Sequence, residues 1–165
     1  MRPGWQNKPI PQPDFLSDYP VSKRKNTDWL QASCPCGRLS PKQQPLMGGE
    51  CCGRYIENFM DLPAPDAESL MRSRYTAFVQ GRTAYLLATW QRDKRPDMLE
   101  PEQGVQWLGL EVKDHQLIDA EHAEVEFVAR WRVNGRAERM HERSRFVRLE
   151  DGEMSRWIYV DGEQL

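Results

Sequence analysis

All four cysteines of the 165-residue chain lie between positions 34 and 52. They form a Cys-x-Cys pair (Cys34, Cys36) and an adjacent pair (Cys51, Cys52), with fourteen residues between the pairs. Thiols gathered this closely have three chemistries open to them: metal ligation, redox exchange and disulfide formation. Tetrahedral zinc requires four soft donors at about 2.3 Å, and these residues supply that number with none left over. A redox device would want Cys-x-x-Cys, or an exposed thiolate with a resolving partner, and the pairs here are spaced otherwise. Adjacent cysteines close only a strained ring, so two structural disulfides fit the spacing least well. Structural zinc is the leading expectation. With four protein ligands the ion would have no open position for a substrate.

A second set of groups able to do chemistry is spread over the later part of the chain: Arg74, Glu142, Ser144 and Tyr159, with the aromatic residues Trp90, Trp107, Phe146 and Trp157 around them. What these can do depends on the elements that carry them. The segment LPAPDAESLMRSRYTAFVQGR is punctuated as a helix: Pro63 and Pro65 precede it, Asp66 is a good N-cap, Glu68 sits in the first turn and Gly81 can close the end. Steps of about 100° place Leu70, Met71, Tyr75, Ala77, Phe78 and Val79 on one broad apolar arc, with Arg74 inside it and Arg72 at its edge. A second helical piece, TAYLLATW, follows directly.

After residue 104 the period changes to two, and WLGLEV, AEVEFVARWRV, ERMHERSRFVRL and SRWIYV are expected as strands. Asn134-Gly135 and Asp151-Gly152 are tight-turn signals. A two-residue turn at Asn134-Gly135 pairs Glu126 with Arg143 and Glu124 with Arg145 on one face; it pairs Phe127 with Glu142, Val125 with Ser144 and Ala129 with Met140 on the other. It also sets Arg130 against Arg139, an unfavourable pair that suggests a bulge. The same construction at Asp151-Gly152 sets Phe146 against Trp157 and Ser144 against Tyr159. Both hairpins choose the same inner face.

Helices followed by an antiparallel meander with one apolar face give an α+β fold, the helices packed on the sheet. Glu142 and Ser144 then point at the core, as does Arg74 from the helix. A buried charge without a partner costs several kcal/mol, so an Arg74–Glu142 ion pair is expected, with Ser144 and Tyr159 adding hydrogen bonds. The cluster is either a structural polar knot or the floor of a pocket walled by Trp90, Trp107, Phe146 and Trp157.

The motifs LMRSRYTAFVQGRTAYLLATW, WLGLEV, EFVARW, HERSRF and WIYVDG, in this order, resemble the YchJ-like family of bacterial proteins over about residues 34–162. The resemblance implies a zinc knuckle like the cysteine motif at the C-terminus of the SecA translocation ATPase (a SEC-C motif). It also implies a curved, cone-shaped α+β domain of the nuclear-transport-factor-two-like, or cystatin-like, kind. This chain departs from the family pattern in three places. The gap between cysteine pairs is fourteen residues where the family has eight, Gly37-Arg38-Leu39-Ser40 replaces Gly-Ser-Gly, and Trp90-Gln91-Arg92 replaces Trp-His-Pro. Closing the longer loop costs only about 0.5 kcal/mol more, against about 10–16 kcal/mol from structural zinc.

The chain thus divides into a poorly ordered, proline-rich extension over 1–33, a zinc knuckle over 34–60 and the α+β cone over 61–165. A net charge of −2 disfavours a dedicated nucleic-acid binder. No apolar run approaches the roughly 20 residues of a membrane span, and the first residues lack the apolar core of a secretory signal. A cytoplasmic protein is expected. His115 and His122 are expected to face solvent, and His141 lies on the face opposite Glu142, so His141-Glu142 is no metalloprotease motif. Two function classes follow. In one, a zinc-containing binding or adaptor module uses its knuckle for a protein or ribosomal partner and its cone for a ligand or partner. In the other, a small-molecule enzyme uses Glu142 as acid or base beside Arg74.

Overall fold

The computed structural model describes residues 26–165. Most of the extension expected over 1–33, including Trp5 and the Lys23–Lys25 run, lies outside the described residues. The chain in view opens with a 3-10 turn, Asp28–Gln31, and a second 3-10 turn at Gly48–Glu50. Three α-helices follow: α1 (Gly53–Glu57), α2 (Ala67–Val79) and α3 (Thr83–Ala88). Four strands complete it: β1 (Val105–Leu117), β2 (His122–Val133), β3 (Arg136–Asp151) and β4 (Met154–Gln164). The sheet runs β1-β2-β3-β4 with every neighbour antiparallel. This is the expected α+β fold. No helix among the described residues is long and apolar enough to cross a membrane.

The ends of α2 are fixed by local chemistry. The Asp66 carboxylate accepts a hydrogen bond from the Ser69 amide at 2.6 Å, satisfying an amide that the first turn would otherwise leave bare. At the other end Gly81 takes φ +63°. The Arg82 amide bonds the Ala77 carbonyl at 2.8 Å and the Gly81 amide bonds the Phe78 carbonyl at 3.3 Å, the reversed turn that a left-handed glycine permits. α2 packs on β1, β2 and β4, and α3 packs beside it.

The β2–β3 register is the one that Asn134-Gly135 dictates: Glu126 faces Arg143, Phe127 faces Glu142, Val125 faces Ser144 and Ala129 faces Met140. The bulge expected at Arg130–Arg139 is absent, because the two are paired in unbroken register and Arg130 turns away to donate to Glu111 on β1 at 3.1 Å. Irregularities occur instead in β1, between Trp107 and Gly109 and between Val112 and Asp114. An extra residue on one strand bends it and increases its twist, which curves the sheet around α2.

The β3–β4 hairpin corrects the second register. Asp151 pairs with Met154, so the turn residues are Gly152 and Glu153. Gly152, at φ +61°, occupies the first turn position. The pairing therefore moves by two: Phe146 meets Tyr159, and Trp157 meets Arg148. Beyond a bulge at Val160, Ser144 meets Gly162 rather than Tyr159, and Glu142 meets Gln164. A shift of two preserves the inward face, so the core is as expected although the partners are not.

Candidate functional site

The knuckle is built by close backbone approaches. Between the cysteine pairs the chain folds into a hairpin, with bridges Ser33–Met47 and Leu39–Pro45, and the Cys34 amide bonds the Leu46 carbonyl at 2.8 Å. The hairpin lets fourteen residues leave and return without disturbing the sulfurs. Trp29, expected in the loose extension, is instead buried at 7 % exposure. It lies under Gly48, where a Cβ would come within 2.5 Å of the Trp29 carbonyl oxygen. The ordered knuckle thus begins before Cys34, because its floor is an indole that only glycine lets the chain cross.

The four cysteines are buried and unbridged. Their sulfur atoms all lie within 4.8 Å of one another, with Cys36–Cys51 at 3.6 Å and Cys51–Cys52 at 3.9 Å. Four sulfurs about 2.3 Å from a tetrahedral centre stand about 3.8 Å apart, so this donor set can hold a metal ion. The thiols already share protons unequally. Hydrogen bonds from Cys36, Cys51 and Cys52 hold the Cys34 thiol down. Cys36, raised by Cys34, is lowered more by Cys51 and Cys52. Bonds to Cys34 and Cys36 push Cys51 and Cys52 up. Sulfurs this crowded cannot all ionise unless a cation sits among them.

The knuckle is fastened to α2. Arg38, which stands where the family pattern has a small residue, donates to Ser69 Oγ and to Glu68 Oε1, each at 3.1 Å. Arg72 donates to the Cys36 carbonyl at 3.1 Å and to Glu68 at 2.7 Å. The Cys34 sulfur is 3.7 Å from Thr76 Oγ1. Burial pushes the Glu68 carboxyl up, but the bonds from Arg72 and Arg38 outweigh it and hold the group below the ordinary range. A further tie comes from Arg156, only 1 % exposed, which pairs with Asp151 at 2.5 Å and donates to the carbonyls of Phe59 and Met60.

The opposite side of α2 looks into a cavity of about 370 Å³. Arg74, Trp90, Trp107, Glu142, Ser144, Phe146 and Tyr159 all line it. Trp157 does not. It is buried at 7 % exposure outside this cavity, since the β3–β4 pairing brings Tyr159, not Trp157, across from Phe146. Seven further walls are Met71, Tyr75, Phe78, Phe127, Ala129, Trp131 and Met140. Trp131 was within reach of the sequence, because Phe127, Ala129 and Trp131 alternate on one face of β2. Glu102 joins the lining from the loop before β1 and carried no periodic signal.

Arg74 and Glu142 share the cavity but form no ion pair, so the expected salt bridge is absent. Among the described residues Arg74 is held by neutral groups. Its Nη1 donates to the Leu86 carbonyl and to Thr89 Oγ1, both at 2.8 Å. Its guanidinium carbon lies 4.5 Å from the Tyr159 ring centre and 5.3 Å from the Trp90 ring. Aromatic faces are electron-rich and stabilise a desolvated cation, which is how the core tolerates this charge. Burial lowers its pKa to about 10, so it remains protonated at neutral pH. Glu142 is satisfied from its own sheet: Oε1 accepts from Ser144 at 2.6 Å and from Tyr159 at 3.5 Å, and Oε2 accepts from Gln164 at 3.0 Å. Gly162 makes room for it, for a Cβ there would overlap the carboxylate.

The histidines belong neither to the sulfur cluster nor to the cavity lining. His115 and His122 bond or approach acidic groups at the surface, Glu68 at 3.9 Å and Asp119 at 2.8 Å. His141 meets Glu126 at 2.8 Å on the outer face of the sheet.

Comparison with known proteins agrees with this architecture. The model of the YchJ middle NTF2-like domain matches residues 66–162. A UPF0225 protein of a Polaromonas species is 58% identical over 133 residues, covering 80% of this chain and 93% of its own. One from Polaromonas naphthalenivorans is 56% identical over 141 residues, covering 82% and 99%. The crystal structure of a SEC-C motif containing protein from Psychrobacter arcticus superimposes with a TM-score of 0.69 at 29% identity, over 81% of this chain and 82% of that one. With four clustered cysteines ahead of an NTF2-like sheet, and relatives of this identity along most of its length, the chain belongs to the YchJ-like, UPF0225 family.

Proposed function

We propose that the protein is a zinc-containing, cytoplasmic binding module in which the knuckle is structural and the cone holds a small ligand. The observation that carries this reading is the cavity itself: a space of about 370 Å³, walled mainly by aromatic rings, with one guanidinium that no described anion contacts. Concave, largely apolar sites with a few convergent polar groups are what small molecules bind. Zinc is supported by the donor set, four thiols at tetrahedral spacing. Cys34, Cys36, Cys51 and Cys52 would hold the ion, which would supply folding energy and no chemistry. The hairpin of the knuckle exposes Leu39 and Met47 at 46% and 45%, apolar contacts suited to a protein or ribosomal partner.

Native mass spectrometry of the purified full chain tests the reading directly. One zinc per chain and a co-purified small molecule are expected; a mass with four free thiols and no metal would remove the knuckle from the proposal. A second reading, catalysis with Glu142 as acid or base, is favoured by one fact: the carboxylate lines the cavity and is not sealed by Arg74. Under that reading Glu142→Gln would still retain the co-purified molecule but no longer convert it.

A further inference from the structure

We infer that the cavity takes a flat, uncharged heterocycle of the cyclic-amide kind, with its carbonyl toward Arg74 and a ring N–H toward Glu142. The inference rests on the cavity being a ligand site and adds which chemistry it selects.

Arg74 sets the first requirement. It is 5% exposed, and among the described residues its hydrogen bonds use Nη1 alone. Nε and Nη2 have no partner among the described residues, and Arg74 lines the cavity. These two nitrogens carry three N–H donors beside the ligand space, so a ligand that brings an acceptor is favoured. Glu142 sets the second. Its two oxygens take three donors from Ser144, Tyr159 and Gln164, and a carboxylate has about four acceptor positions. One further donor can be met there.

Charge then excludes the simplest acceptor, an anion. The lining holds one cation, Arg74, against two carboxylates, Glu142 and Glu102. A carboxylate or phosphate ligand would bring a further acid group into a mainly apolar space that already holds the Glu142 and Glu102 carboxyls. A neutral amide edge offers an acceptor to the guanidinium and a donor to the carboxylate without added charge, and hydrogen bonds to charged groups are the strong ones. The walls bear on shape: Trp90, Trp107, Trp131, Phe146 and Tyr159 all line the cavity, and aromatic walls favour a planar, stackable partner. The volume of about 370 Å³ equals that of about a dozen waters, room for one or two fused rings.

The test uses the metal-loaded full chain and isothermal titration with uracil, xanthine and lumazine, alongside benzoate as an aromatic anion and naphthalene as a ring without polar edge. At least one of the three cyclic amides is expected to bind more tightly than both controls. Arg74→Met and Glu142→Gln, on different elements, should each weaken it by about tenfold or more. Circular dichroism confirms that each variant is folded; should one fail to fold, the other decides. Preference for benzoate or naphthalene, or cyclic-amide affinity unchanged in a folded variant, overturns the inference while leaving a ligand-binding cavity. Absence of binding by all five compounds, together with no co-purified molecule, overturns the cavity reading as well.

Discussion

The guanidinium of Arg74 lies 4.5 Å from the centre of the Tyr159 ring, and the hydroxyl of the same ring reaches Glu142 Oε1 at 3.5 Å. One phenol thus serves a cation with its face and a carboxylate with its edge. It holds both charges beside the cavity without letting them neutralise each other. Burial, and then the neighbouring Glu142, hold the Tyr159 hydroxyl above its ordinary range, keeping it protonated and able to donate.

Substitution at Tyr159 should separate the two services. Tyr159→Phe keeps the ring face and loses one long hydrogen bond, an expected cost below about 1 kcal/mol. Tyr159→Leu also removes the cation–π contact, which in a desolvated setting is worth about 2 kcal/mol. Urea unfolding of both variants should therefore show Leu less stable than Phe by about 2 kcal/mol. Equal losses would mean that the ring face does not stabilise Arg74.

Alkaline pH should destabilise the fold through Tyr75. Burial on the face of α2 that packs against β1, where the Trp107 ring centre is 5.4 Å away, pushes its pKa from 10.0 up to about 12. A raised folded-state pKa contributes stability that is complete below pH 10 and is lost as the pH climbs to about 12, because the unfolded chain gives up the proton first. Tyr159, also held above its ordinary range, acts in the same sense, and Arg74, lowered to about 10, acts in the opposite one. Tyr75→Phe should therefore flatten the fall of stability above pH 10, as read from urea midpoints at successive pH values. An unchanged slope in the variant would exclude Tyr75 as its source.

If the four cysteines hold zinc as proposed, its removal should melt the knuckle before the sheet. Stripping it with a strong chelator leaves four buried thiols whose ionised forms have no counter-charge. Hydrogen exchange should show lost protection over residues 34–60 while β2 and β3 keep theirs. Protection at the start of α2 should fall partway, since Arg38 and Arg72 tie the knuckle to it. Unchanged exchange after metal loss would show that the knuckle folds without an ion.

What the amino-acid sequence by itself determined about this protein depends on near neighbours in the chain. Asp66 and Gly81 mark α2 because capping is a matter of three or four residues. Asn134-Gly135 sets the β2–β3 register because a tight turn leaves the flanking strands no choice. The spacing of Cys34, Cys36, Cys51 and Cys52 announced a four-sulfur centre for the same reason. Tertiary structure decided whatever required comparing distant segments. The β3–β4 turn sits at Gly152–Glu153, one residue beyond the Asp-Gly signal, because the packing of both strands outweighs the preference of a single turn. The bulge at Val160, invisible in the alternation, brings Gln164 to Glu142. Trp29 is core rather than tail because Gly48, nineteen positions later, leaves space for it. Arg74 was legible as a buried charge in need of company, and a carboxylate was the obvious candidate in one dimension. In three dimensions the faces of Trp90 and Tyr159 and two neutral oxygens meet that need, leaving its remaining donors to the cavity.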